Sequence, residues 1–299
     1  MAGDLRVVSR SQPAETQARL DAELAGLDAL ELGTAASMPL GRRVWSALWP
    51  KVAAVTLALL LWQVAVWTHW RPTYVLPAPG PVLRSLWHDL GTSVFWRAVG
   101  FTLRRALIGY TIACAVGLLL GALVARSRIL RSAVGSLITG LQTMPSIAWF
   151  PLALLLFKLS EAAITFVVVI GAAPSIANGF VSGVDHVPPL LLRSGRMMGA
   201  RGIRLWRHVV IPAALPSLIG GLKQGWAFAW RSLMAGELLV IIGKHVSLGE
   251  ELSNAQNQND AVALLEFMLV ILILGILADT VFSAADRRLR RRWGLTSSQ

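Results

Sequence analysis

The sequence predicts an all-α integral membrane protein with six membrane-spanning helices and both termini in the cytoplasm. Three observations predict it. Hydrophobic residues make up 55% of the 299 residues and charged residues 15%, with a mean hydropathy of +0.60, whereas a soluble globular domain carries about 25% charged residues. Several charge-free runs reach the roughly 20 residues that a helix needs to cross the hydrocarbon core. Lys and Arg gather on alternate flanks of these runs, the bias that marks cytoplasmic loops.

In chain order, residues 1–50 form a mixed-charge tail. Leu20, Leu24, Leu27 and Leu30 recur there at helical spacing among Asp21, Glu23, Asp28 and Glu31, which predicts a short amphipathic cytoplasmic helix. A signal peptide would show a basic start followed at once by an apolar stretch, and this tail does not. A six-span domain over 51–286 follows. Its charge-free runs are Val52–Trp70, Ala106–Ala125, Ser132–Phe157 and Ala162–Val184. Two more spans carry charge: Ala213–Ile242 holds Lys223, Arg231 and Glu237, and Ala261–Ala285 holds Glu266 and Asp279. Gly109, Gly117 and Gly121 in the second span are spaced for close helix packing. Met144-Pro145 predicts a kink in the third. Trp45, Trp49, Trp67, Trp70 and Trp293 fall where an aromatic belt would sit, and Trp149, Trp226 and Trp230 lie deeper. A basic tail, 287–299, ends the chain.

The Lys and Arg bias places both termini and the Asp185–Val210 loop in the cytoplasm. The formal net charge of +12 then belongs to topology and to contact with anionic lipid, and no basic region interleaved with aromatics argues for nucleic acid. Catalytic signatures are missing from the sequence. There is no G-x-x-x-x-G-K-[ST] for ATP, no H-E-x-x-H or paired-cysteine zinc pattern and no G-x-S-x-G. His69, His88, His186, His208 and His245 are scattered, and Cys114 stands alone inside an apolar span. The sequence therefore predicts a transport component, not an enzyme, with no cofactor and no metal.

Two features carry more. The first is the loop over 185–211. Pro188-Pro189 opens it, a mixed apolar and basic segment with Arg193, Arg196, Arg201, Arg204 and Arg207 follows, Gly199 permits a tight turn, and Pro212 and Pro216 open the next span. A basic amphipathic helix on a membrane surface and a knob seated in a cytoplasmic partner both fit. This stretch resembles the cytoplasmic coupling loop of ABC-importer permeases, whose pattern is Glu-Ala-Ala, three residues, Gly, nine residues, Ile, one residue, Leu-Pro. Gly199, Val209, Ile211 and Pro212 fill the later positions, and Arg193, Ser194 and Gly195 stand where Glu-Ala-Ala is usual. Leu76–Val82 resembles the Leu-Pro-Ser-Pro-x-x-Val stretch after the first span. Met144–Leu152 resembles the Pro-x-x-Ala-x-x-Pro-Leu element of the third, and Ala229–Leu238 resembles a block of the fifth. Four motifs in order are similar to the nitrate, sulfonate and taurine branch of binding-protein-dependent importers.

That resemblance implies a type I importer permease of MetI-like architecture. It implies that two permease chains, as a homodimer or heterodimer, pair around a pathway, and that a cytoplasmic ATPase dimer grips the coupling loops through Arg193, Ser194, Gly195, Gly199, Ala200, Val209 and Pro212. An extracytoplasmic solute-binding protein delivers the solute, and membrane lipid surrounds the spans. Arg193 reverses the charge of the usual Glu, so either the ATPase carries a compensating acid or this chain is the less conventional half of a heterodimer. The family moves aliphatic sulfonates, taurine or nitrate, with thiamin-precursor pyrimidines as an alternative. An ATP-independent secondary transporter or channel is the competing class.

The second feature is charge inside the fifth span, which is expensive in a bilayer and marks a cavity or a partner. Lys223 and Arg231 sit roughly 80° apart on a helix, and Arg231 and Glu237 about 120° apart. Arg231, Lys223 and Glu237, with Trp149 and Trp230, are the candidate residues of a pathway for a small anion; snorkelling or pairing with a neighbouring span is the other reading.

Overall fold

Small residues and prolines, more than hydrophobicity, decide how these helices meet. The computed structural model describes residues 40–240 and 246–292, and among them there is no strand. The amphipathic helix expected around Leu20–Leu30 and the end of the basic tail lie outside the described residues. The chain divides into two units, 1–64 and 65–299. The described part of the first is helix α1 (Leu40–Trp67), which runs into the second unit. It begins ten residues before the boundary expected at residue 50. Lys and Arg are good helix formers, so the charges that end the apolar run do not end the helix.

The second unit continues with α2 (Pro79–Asp89), α3 (Ser93–Arg126), α4 (Arg128–Thr143), a 3₁₀ turn at Ser146–Trp149, α5 (Phe150–Phe157), α6 (Glu161–Asp185), α7 (Pro189–Met197), α8 (Ile203–Leu239), α9 (Leu248–Asn257) and α10 (Ala261–Arg292). Five helices are long and apolar enough to span a bilayer: Leu48–Trp67, Ser93–Arg126, Glu161–Asp185, Ile203–Leu239 and Ala261–Leu289. The sixth candidate is the bent pair Ile129–Thr143 and Ser146–Phe157.

Three expectations need correction. The run Ser132–Phe157 is not a gently kinked span, because its halves meet at 103°. Met144 is held extended (φ −77°, ψ 127°), as a residue before proline prefers, and Pro151 starts a fresh helix. Pro212 does not open the fifth span. The helix already runs from Ile203, and a π-turn at Trp206–Val210 precedes the proline. Ile211 N–H bonds Trp206 C=O five residues back, widening the backbone where the Pro212 ring would otherwise crowd the His208 carbonyl. Helix α9 was not expected at all. Ser247 caps it by accepting from Glu250 N–H at 3.4 Å, an S-x-x-E start.

Helix α6 is the most enclosed span, with 56% of its apolar window buried. In lipid, apolar surface gains little by leaving the tails, so close contact between helices must supply the attraction. The sequence provides it. A Cβ at Gly109, Gly117 or Gly121 of α3 would stand 2.8 Å from Val168, 2.7 Å from the Ala173 carbonyl or 2.9 Å from Phe180 of α6, so the predicted glycine stripe is the α3–α6 seam. On the other face, Gly179 of α6 meets Gly221 of α8 so closely that a Cβ on Gly179 would lie 2.5 Å from the Gly221 Cα. Gly179→Ala is therefore expected to cost about 1–3 kcal/mol, read as a fall in the thermal midpoint of the purified protein. Gly220→Ala, with nothing within 4 Å of its Cβ, is expected to leave the midpoint unchanged or raise it.

Candidate functional site

The arginine-rich segment folds into a short hairpin braced on the fifth span. Helix α7 starts at Pro189 and ends in a left-handed Gly199, φ +84°. Gly199 N–H bonds Arg196 C=O at 3.0 Å and Ala200 N–H bonds Gly195 C=O at 2.9 Å. These are the paired bonds of a Schellman cap, so Gly199 is needed for its backbone and Ala200 closes the motif. Gly195 is buried against the start of α8: a Cβ there would meet Leu205 Cδ1 and Val209 Cγ2, each at 2.9 Å. The small residue at 195, a departure from Ala in the sequence pattern, lets α7 press against α8. Arg193 is exposed and Ser194 half-buried. Leu190, Met197, Met198 and Ile203 stand 71–83% exposed beside Arg193, Arg196, Arg201 and Arg204. Arg131, at the start of α4, ties the base of the hairpin to Asp185 at 2.5 Å.

At the opposite end of α6 a buried ionic cluster closes the fold. Glu237 is 0% exposed. It accepts from Thr102 Oγ1 (2.9 Å), Arg105 Nη1 (3.1 Å) and the Gly249 N–H at the start of α9 (3.1 Å). Arg105 also forks onto Glu161, with Nε to Oε2 at 2.7 Å and Nη2 to Oε1. Thr102 Oγ1 in turn accepts from Leu248 N–H at 3.0 Å. Glu237 thus joins α3, α8 and the N-terminus of α9. Nearby on α9, burial and then the charges of Glu250 and Asp89 raise the Glu251 carboxyl above the usual carboxylate range.

The remaining candidates separate. Lys223 Nζ lies 3.1 Å from Asp279 Oδ1 and donates to Ser283 Oγ at 2.8 Å. Its charge is neutralised by the sixth span, the pairing that the sequence left open. Trp230 is 9% exposed in the core and stacks on Trp226, with centroids 6.3 Å apart and planes at 21°. Trp226 meets Tyr110 edge-on at 5.1 Å. Arg231 is exposed. Its Nε donates to Ala227 C=O at 3.1 Å and its guanidinium lies 5.0 Å from the Phe228 ring centre. Among the described residues no carboxylate is within ion-pair distance of it.

Arg231 lines two cavities. One, about 610 Å³, is walled by Trp230, Met234, Ile271 and Gly275 between the fifth and sixth spans. The other, about 300 Å³, sits in the bend of the third span, lined by Gln142, Met144, Ser146, Trp149, Gly171 and Phe228. Trp149 and Arg231 thus share a wall, whereas Glu237 and Lys223 line neither cavity, although Asp279, the partner of Lys223, lines the larger one with Arg231. Sequence reasoning missed Gln142, whose one signal was a polar amide inside a charge-free run. Gln142 Nε2, Trp149 Nε1 and Ser232 Oγ are buried without a hydrogen-bond partner, each a penalty of about 1–3 kcal/mol. If the ionic cluster is structural, Arg105→Leu strands the Glu237 carboxylate and costs about 3–5 kcal/mol. Adding Glu237→Gln is expected to recover part of that loss in thermal unfolding, because the amide oxygen still accepts from α9 and carries no charge.

Comparison with known proteins places the chain. The family described as binding-protein-dependent transport system inner membrane component matches residues 117–293. A protein described as the aliphatic sulfonates transport permease of Escherichia coli is 31% identical, over 78% of this chain and 87% of its own length. The riboflavin transport system permease protein of Chloroflexus aurantiacus is 32% identical, over 82% and 91%. A chain of the MetNI methionine ABC transporter, solved in inward-facing conformations, superposes with a TM-score of 0.57 at 20% identity, covering 66% of this chain and 96% of that one; it shares the MetI-like fold. The Schellman-capped hairpin, the broken third span and these matches have one explanation: the chain is a multi-pass inner-membrane transport component and belongs to the binding-protein-dependent ABC transporter permeases.

Proposed function

We propose that this chain is the permease subunit of an ATP-driven importer that passes a small anionic solute, of the class of an aliphatic sulfonate, taurine or nitrate. Two permease chains pair around the pathway, and a solute-binding protein delivers the solute from outside. A separate ATPase dimer hydrolyses ATP and seats helix α7 in the cytoplasm. The observation that carries the anionic solute is Arg231. An ionised side chain at membrane depth is normally neutralised by a partner, as Lys223 is by Asp279, whereas Arg231 is within ion-pair distance of no carboxylate among the described residues, Asp279 of the larger cavity being held by Lys223, and it lines the cavity at the bend. The sulfonate permease of Escherichia coli supports this class by its name.

The coupling role is supported by the hairpin. A lever must be stiff, exposed and joined to a span. The Gly199 cap stiffens α7, Gly195 packed on Leu205 and Val209 joins it to α8, and Leu190, Met197, Met198 and Ile203 present an apolar tip ringed by arginines. Apolar anchors with a charged rim are what a docking helix offers a groove. The Lys and Arg bias puts this tip and both termini in the cytoplasm. Arg193 on that rim meets an acidic site on the ATPase.

The riboflavin permease favours a second reading, a heteroaromatic solute stacked between Trp149 and Phe228 in the same cavity. An unneutralised guanidinium in the wall argues against a neutral solute.

Uptake by the reconstituted transporter separates these readings. Import should require ATP, persist without an ion gradient, accept taurine, methanesulfonate or nitrate, and fall at least about tenfold in Arg231→Ala at normal expression, as loss of one charge-assisted contact implies. Gradient-driven uptake without ATP, or riboflavin uptake indifferent to Arg231→Ala, overturns the proposal. Arg193→Glu is expected to weaken co-purification of the ATPase about fivefold, the scale of a rim ion pair; unchanged association removes residue 193 from docking.

A further inference from the structure

Another cavity, about 600 Å³, opens where the second span ends beside the start of the fifth. Leu119, Ala122, Leu123 and Arg126 of α3 form one wall, and Ile203 and Trp206 of α8 form the other. The α3 residues recur at helical spacing, so they share one face, which runs about 10 Å from Leu119 to Arg126. All four are exposed. The wall changes character along its length. Leu119, Ala122 and Leu123 lie within the apolar span, whereas Arg126 is the last residue of α3. Trp206, at the first position of the π-turn, supplies the amphipathic ring that a membrane interface favours. Arg126 is within ion-pair distance of no carboxylate among the described residues. Asp and Glu are absent from 90–160 and from 186–236, the stretches that supply both walls. Arg201, Arg204 and Arg207, all exposed, add charge of the same sign within five residues of Gly202, which also lines the cavity.

We infer that this cleft binds an anionic phospholipid, with one acyl chain along Leu119, Leu123 and Ile203 and the phosphate at Arg126. In a bilayer an apolar cleft at the edge of a span meets lipid tails, and a tail gains little by leaving its neighbours for the protein. The tail therefore accounts for occupancy but not for choice. Choice falls to the headgroup. A basic pocket between spans at the cytoplasmic surface selects a lipid that carries net negative charge, and a guanidinium without a protein partner has its fork free for phosphate oxygens. The lipid also completes the footing of the hairpin. Gly195 of α7 packs on Leu205 and Val209, while the lipid packs on Ile203 and Trp206, so the first turns of α8 are held from both. The inference goes beyond the transport reading and shares one premise with it, that the arginine-rich end faces the cytoplasm. That premise sets only the leaflet.

The test places the transporter, with its ATPase and without nucleotide, in nanodiscs of phosphatidylcholine that contain increasing phosphatidylglycerol with brominated acyl chains. Bromine quenches tryptophan at short range, and each variant is measured against the same variant carrying Trp206→Phe, so that the difference reads Trp206 alone. The Trp206 signal is expected to saturate at a low fraction of brominated phosphatidylglycerol, whereas brominated phosphatidylcholine quenches it only in proportion to its amount. Arg126→Gln should raise the half-saturating fraction about fivefold, the worth of one basic side chain at an anionic surface. Ala122→Phe fills the cleft and should remove quenching by either lipid. Both positions are exposed, and co-purification of the ATPase checks that the variants fold. Arg288→Gln, which removes an exposed charge at the end of the sixth span, should change nothing. Equal loss in Arg126→Gln and Arg288→Gln means diffuse attraction to the surface and overturns the site. Trp206 quenching that is absent, or that does not distinguish the two lipids, overturns it as well, since protein or unselected lipid then covers the cleft. Relief of quenching by excess glycerol phosphate overturns it in favour of a free phosphate site. Both leaflets of the nanodisc hold the probe, so these outcomes are read whichever way the chain is oriented and whatever solute it carries.

Discussion

Within a bilayer, lipid tails are as apolar as leucine, so the spans are held by how closely their backbones approach. The fourth span carries this constraint for the whole second unit. Its face toward the second span is met by Gly109, Gly117 and Gly121, and its face toward the fifth span by Gly221 and Gly225. The same helix contributes Gly171 to the wall of the cavity at the bend. Small residues on either side of these seams therefore bring neighbouring spans into contact, Gly171 included, where Ser232 and Ser146 leave no space for a Cβ.

Charge is the second organising constraint. Among the described residues the ionised groups at depth are mostly matched across helices: Lys223 with Asp279, and Arg105 with both Glu161 and Glu237. Each match joins segments that hydropathy alone leaves unrelated. Glu237 is the clearest case, since its carboxylate accepts from two residues of the second span and from the first turn of α9, where orphan amide groups and the helix dipole favour a negative charge. Against this background the Arg231 guanidinium stands out because its contacts are the Phe228 ring and the carbonyl of Ala227, with no carboxylate within ion-pair distance among the described residues.

The spans were legible because membrane crossing is a demand on composition, and the glycine stripe was legible because close packing is a demand on spacing. What could not be read depends on partners distant in sequence. Glu237 shared a helix with Arg231, and nothing local distinguished a carboxylate bound for Thr102 and Arg105 from one facing a pathway. Lys223 was left between two readings for the same reason, and Asp279, 56 residues away by numbering, decided it. Pro145 announced a kink but not a bend of 103°, since proline removes a hydrogen bond without dictating where the following helix packs. Helix α9 carried a readable sign in Ser247 and Glu250, yet a polar helix of ten residues leaves no trace in hydropathy. Gln142 was invisible because one amide in an apolar run has no pattern at all.

The hairpin and the cavity at the bend are joined by a single element. Helix α8 runs from Ile203 to Leu239; Val209, near its start, touches Gly195 of the hairpin, and Arg231, further along, lines the cavity. At about 1.5 Å per residue these points are roughly 33 Å apart. The helix between them is pinned to the fourth span by the Gly179–Gly221 contact, and Pro212 and the π-turn lie at its hairpin end. The Gly195 contact reaches Leu205, just before the π-turn, and Val209, within it, so the hairpin packs against the helix where its backbone is widened.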